Sequence, residues 1–161
     1  MIRFEIDILS VDGSGRVTLD WGDSGRISGT WDAVNKTLTV FDNQVYVLNR
    51  GVLGGANERY SGVAFKNGEE WGSVGSTIVG SWRMTEYRKK HNDTLIFDID
   101  ILSIDGDGTV TLDWGDSGRI TGKWDAWNRT LTVHHEQVYV FQGGMLGGGN
   151  DRYSGLAVRR N

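Results

Sequence analysis

Four tryptophans recur in two matched pairs, Trp21 with Trp31 and Trp114 with Trp124, inside "WGDSGRISGTW" and "WGDSGRITGKW". Indole rings offer large, flat, mostly apolar surface. Such a set suits a lining for a hydrophobic ligand or a platform on which a sugar ring stacks; the same residues also suit plain core packing. A second repeated group lies in "LGGANERYSG" and "LGGGNDRYSG": Asn57, Arg59 and Tyr60, then Asn150, Arg152 and Tyr153. These side chains supply hydrogen-bond donors and an aromatic face for a polar ligand. The alternative is a structural turn, with Asn capping the loop and Arg held by a carbonyl or a neighbouring Asp.

Other chemistries have weaker support. "VDGSG" and "IDGDG" space Asp105 and Asp107 like the first ligands of a calcium loop. Val110 and Asp116, however, stand where the EF-hand pattern needs Gly and Glu, so a plain turn is expected. His134 and His135 are neighbours on an extended segment and point to opposite faces, and His91 is remote, so no metal site is expected. The repeated carboxylates Asp7, Asp12, Asp20, Asp23 and Asp32 fall in turns or on outward faces. No nucleophile–base series and no phosphate loop is visible. The chain reads as a non-enzyme, and no cofactor is expected.

Composition narrows the classes further. A chain of 161 residues is enough for one well-buried domain. It has no cysteine, hence no disulfide framework and no thiol chemistry. The net charge of −4 with no basic stripe argues against a nucleic-acid partner. No apolar run is long enough for a membrane span, and Glu5 and Asp7 interrupt the N-terminal segment, so a cytoplasmic location is expected. Proline is absent and glycine numbers 24, so turns must come from Gly, Asp and Asn, as short hairpins require.

What positions these residues is a duplication. Residues 4–65 and 97–158 align without a gap, and 43 of the 62 pairs are identical. Within each copy apolar residues alternate with a period of two: Phe4, Ile6 and Ile8 fall on one face, Glu5 and Asp7 on the other. A three-residue turn at Asp23–Gly25 would pair Trp21 with Ile27, Leu19 with Gly29 and Val17 with Trp31, gathering the apolar residues on one face. "LTVFDNQVYV" would pair Val40 with Val45 and Leu38 with Val47. Each copy thus reads as a meander of about six strands. A further strand is expected near 76–87, followed by an exposed "RKKHND" connection. The fold class is all-β: an antiparallel up-and-down β-barrel, with both copies and the extra strand sharing one closed sheet as a single domain, the alternative being two packed small barrels.

"IVGSWRMTEY" resembles the first strand of lipocalin-like barrels of the calycin group, whose Gly-x-Trp signature falls here on Gly80 and Trp82. That resemblance implies a basic residue from a late strand packed on the tryptophan, with Arg159 and Arg160 as candidates. "SGRISGTWDAV" is similar to a hairpin arm of avidin-type barrels. The "GG…RYSG" loop is similar to the turn of allene oxide cyclase and dirigent-type barrels. All three imply an antiparallel barrel, and they imply different activities.

Three functions follow as expectations. The first is a non-catalytic binder of a small, mainly apolar molecule held in the barrel. The second is a carbohydrate-binding lectin with two equivalent sites, giving avidity. The third is a pocket-shaping cyclase or isomerase, for which the warrant is resemblance alone. Exposed strands of a duplicated sheet could also pair between chains as a homo-oligomer.

Overall fold

The structure is a computed structural model that describes residues 2–66 and 77–160. Every regular element of more than three residues is a β-strand, and every strand pair is antiparallel. The first copy forms β1 (Ile6–Val11), β2 (Arg16–Trp21), β3 (Arg26–Asp32), β4 (Thr37–Val40), β5 (Gln44–Asn49), β6 (Val52–Ala56) and β7 (Ser61–Ala64). The extra strand is β8 (Gly80–Arg88); residue 76 lies outside the described residues. The second copy gives β9 (Asp93–Ile104), β10 (Thr109–Trp114), β11 (Arg119–Asp125), β12 (Thr130–Val133), β13 (Gln137–Gln142), β14 (Met145–Gly149) and β15 (Tyr153–Arg159).

The up-and-down barrel is present, but the two copies do not share it. β1 to β7 make an open seven-stranded sheet in sequence order, whereas β8 to β15 close into an eight-stranded barrel. β8 pairs with β9 on one side and with β15 on the other, so it closes its own copy; it touches the first through side chains, Asn49 donating to Thr85 at 3.3 Å. Barrel width explains the choice. Eight strands enclose an interior that side chains can fill, while a cylinder of all fifteen would be far too wide. Here Trp82, Tyr139, Phe141, Met84, Ile99, Ile101, Leu112 and Leu131 fill it, all fully buried.

Two registers differ from the sequence expectation. Leu19 faces Ile27 and Val17 faces Gly29, with Asp20 opposite Arg26. The connection is therefore five residues, Trp21–Gly25, containing a single 3-10 turn and ending at Gly25 with φ 73°. A shift of two residues preserves side-chain parity, so the apolar row keeps its face. In the next hairpin Val40 faces Gln44 and Leu38 faces Tyr46. The three residues Phe41–Asn43 form that turn, with Asp42 and Asn43 at positive φ, and the register slips by one. A one-residue slip reverses faces. Tyr46 joins the core of the first sheet, while Val45 and Val47 are buried too, on the opposite side.

That opposite side packs on the second barrel, through β5, β6 and β7 of the open sheet against β13, β14 and β15. The contact has a twofold pattern. A Cβ built on Gly54 would lie 2.8 Å from Leu156 and 3.1 Å from the Gly155 carbonyl; one on Gly147 would lie 2.9 Å from the Gly62 carbonyl and 3.2 Å from Cα of Gly54. Leu156 and Gly155 are the copies of Val63 and Gly62, so each half presents the same surface to the other. Val52, Met145, Leu156 and Val158, with Val63 and Phe65, form the apolar cluster around this backbone contact.

The repeated glycines of "LGGANERYSG" and "LGGGNDRYSG" are thus needed for close approach. Substituting Gly147→Val should lower unfolding stability by about 1–3 kcal/mol or more, as overpacking does, seen as a lower urea midpoint. Gly13→Ala, where nothing lies within 4 Å of an added Cβ, should stay within ~0.5 kcal/mol of the parent.

Candidate functional site

The four tryptophans sit in two equivalent cores. Trp21 is buried and contacts the rings of Phe4, Phe41 and Tyr46 at 5.8, 6.0 and 5.7 Å. Trp114 makes the matching contacts with Phe97, His134 and Tyr139 at 5.9, 5.8 and 5.7 Å. His134 therefore takes the edge-on place that Phe41 holds in the first copy, both near 87°. Trp31 and Trp124 are half-buried and complete their clusters, Trp124 against Phe141 at 6.1 Å.

The repeated loops are built by their asparagines. Asn57 Oδ1 accepts the backbone N–H groups of Arg59 and Tyr60 at 2.8 and 2.9 Å, and its amide donates to the Asp42 carbonyl. Asn150 Oδ1 accepts from Arg152 and Tyr153 at the same distances. Both asparagines are buried and act as turn caps. Arg59 and Arg152 are exposed, Tyr60 is 55% exposed and Tyr153 is half-buried. The two loops also meet. Lys89 Nζ donates to the carbonyls of Ala56, at 3.0 Å, and Asn150, at 2.9 Å, so one half-buried ammonium ties the ends of β6 and β14 together. Burial lowers its pKa to about 8, against the opposing pull of Asp151 and Glu58.

Glu86 is the polar residue that alternation should have singled out. It stands in phase with Trp82 and Met84 on β8 and so points inward, only 7% exposed. Its Oε1 is buried with no hydrogen-bond partner among the described residues. Burial pushes its pKa up to about 7, with Arg88 opposing. Burial, reinforced by the neighbouring Glu86 and Tyr153, raises the pKa of the Tyr139 phenol, whose hydroxyl donates to Gln137 at 2.6 Å, as Tyr46 does to Gln44.

At the other barrel end, the Arg159 guanidinium lies 4.4 Å from the centroid of the Trp82 ring. It donates to the carbonyls of Thr77 and Val79, and Trp82 Nε1 donates to Ile78 at 2.9 Å. An added Cβ on Gly80 would lie 2.9 Å from that guanidinium, so glycine makes room for it. Arg160 instead pairs with Asp98 and Asp100. Asp12 and Asp105 are occupied by backbone N–H groups of their own turns, the expected turn chemistry.

The copies differ most where β8 is concerned. Ile99 and Ile101 are 1% and 2% exposed, but Ile8, the copy of Ile101, is 49% exposed and Ile6 is half-buried. Leu53 and Ala64 are half-buried where Leu146 and Ala157 are buried. Among the described residues the first sheet holds no counterpart of Ile78, Trp82 and Met84, which plug the second. Its edge strands β1 and β7 lack the bridging strand that joins β9 to β15, and the gap between them is a trough whose rim carries exposed Phe4 and Ile8, with Trp21 and Tyr46 buried behind it. Two further surface depressions, of about 350 and 270 Å³, are polar; the second is lined by Arg50, Arg83, Val158, Arg159 and Arg160.

No protein-family model, curated protein or solved structure matches this chain. Among the described residues no helix is long and apolar enough to cross a membrane.

Glu86 sets a pH dependence. The native state holds a proton that the unfolded chain, with an ordinary carboxyl, has already lost above about pH 4.5. Stability should therefore fall as pH rises from about 4.5 through 7, by roughly 2–3 kcal/mol, and then level off. The aspartates held low by their turns are fully ionised across this window and do not contribute to it. Urea midpoints at pH 5 and pH 8 should show this slope, and Glu86→Gln should remove most of it.

Proposed function

We propose that this protein is a non-catalytic binding protein that holds a mainly apolar ligand in the trough of its first sheet. The observation that carries this reading is the exposure of Ile8 beside the full burial of its copy, Ile101. Leaving an isoleucine side chain in water forgoes about 1.5–3 kcal/mol relative to burial. A surface that keeps Ile8 and Val11 exposed on edge strand β1, with Phe4 exposed just before it, is a place for something apolar to cover.

The second barrel supports the lipocalin-like side of the reading through Gly80, Trp82 and Arg159, but its interior is filled by its own side chains. The carbohydrate-binding alternative is favoured by Tyr60, exposed beside Arg59. Its two loops converge on Lys89, which makes one joint surface of them. A cyclase needs an inward polar group, and Glu86 is one; the trough requires no chemistry.

Nile red, a neutral apolar probe excited by energy transfer from tryptophan, tests the reading. Saturable binding that Ile8→Glu weakens at least about tenfold, the scale of 1.4 kcal/mol, is expected, with an unchanged urea midpoint because Ile8 is exposed. No saturable signal, or one indifferent to Ile8→Glu, overturns it.

A further inference from the structure

The second copy displays what fits the slot that the first leaves open. β8 lies antiparallel between β9 and β15, with Gly80 opposite Ile101, Trp82 opposite Ile99 and Met84 opposite Phe97. On its other side Met84 faces Ala157 and Glu86 faces Gly155. In the first copy the corresponding positions are Ile8 and Ile6 on β1 and Phe4 just before it, and Ala64 and Gly62 on β7. Both strands are sheet edges, so one row of backbone N–H and C=O groups on each points into the slot without a strand partner among the described residues.

Outward-facing charges repeat as well. Arg83 on β8 pairs with Asp98 at 3.0 Å, and Ser81 donates to Asp100 at 2.6 Å. The copies of those carboxylates are Glu5 and Asp7, which form no ion pair among the described residues and stand exposed along β1. The slot thus offers two hydrogen-bonding edges, apolar side chains at alternate positions and two carboxylates between them.

We infer that the occupant of the trough is an extended segment of a partner polypeptide, added as an eighth strand between β1 and β7. Its chemistry is that of β8: a small residue, then large apolar residues two and four positions on, with a basic residue between the two large ones. Main-chain hydrogen bonds to both edges supply affinity, and alternate side chains supply selectivity. The large residues cover Ile6 and Phe4, and the basic residue meets Glu5. The strand would convert the open sheet into a second eight-stranded barrel.

This inference rests on the trough reading above and specifies its ligand. The test uses the full chain and a synthetic peptide copying residues 77–90, with hydrogen exchange, Nile red and light scattering as readouts. Saturable binding below about 100 µM is expected, with new amide protection on β1 and β7 and displacement of Nile red. A peptide carrying Trp82→Asp and Met84→Asp should bind at least about tenfold more weakly.

Nile red binding without peptide binding overturns the strand inference and leaves the trough reading in place; failure of both probes overturns both. Protection appearing instead on β9 and β15 would mean that the peptide displaces β8, and that also overturns the inference. A dimer of the chain alone, with β1 and β7 already protected, replaces the partner by a second copy and overturns it too.

Discussion

Backbone meets backbone where the two halves of this protein join, and the rest of the arrangement depends on that approach. Gly147 brings its chain so near Gly54 that a methyl group would sit 3.2 Å from the opposing Cα, tighter than ordinary van der Waals contact, and 2.9 Å from the Gly62 carbonyl. Strands packed face to face usually stand about 10 Å apart because side chains hold them there. Here the missing side chains let two curved sheets seat convex face to convex face, with Val52, Met145, Leu156 and Val158 as the surrounding apolar cluster. Because the contacting residues are copies of one another, the duplication made a self-complementary surface within one chain, as a twofold dimer interface does between chains.

The consequence for each half is that one face is committed to its neighbour and the other must form its own core. β5 shows this most directly: Val45 and Val47 are buried on one side, and Gln44 and Tyr46 on the other. In the second half the inner face is sealed by β8, which inserts Trp82 and Met84 and is itself fixed by Arg159 over the indole. The first half has the same inner residues with no such seal. Near-identical sequence therefore carries different burial, because burial depends on what neighbours supply.

Polar groups at the joints follow the same logic. Buried donors and acceptors must find partners, and the repeated Tyr–Gln pairs and asparagine caps do so within each copy. Lys89 does so across the copies, holding the carbonyls of Ala56 and Asn150 together. Glu86 departs from the rule. Its inward position in the closed barrel leaves one oxygen without a partner among the described residues, and burial pushes its pKa up to about 7.

The chain by itself determined the elements and the equivalence of the halves. Period-two alternation, Gly- and Asp-bearing turns and 43 matched positions in 62 placed the strands, the antiparallel barrel class and the inward tryptophans. Local rules decide such features, since a side chain's face follows from parity along its own strand. Even the misplaced first hairpin kept its apolar face, because the shift was two residues; the second lost it, because three turn residues with two positive φ values moved the pairing by one. Alternation along β8 carries the signal for Glu86, which the expectations above pass over, and nothing local gives its degree of burial. Tertiary structure alone decided that β8 closes only the second copy, that the glycine pairs serve contact between halves, and that the two polar loops converge on Lys89. Those outcomes depend on how many strands a filled barrel accommodates and on which surfaces meet across ninety residues of chain, and neither quantity is written in any local pattern.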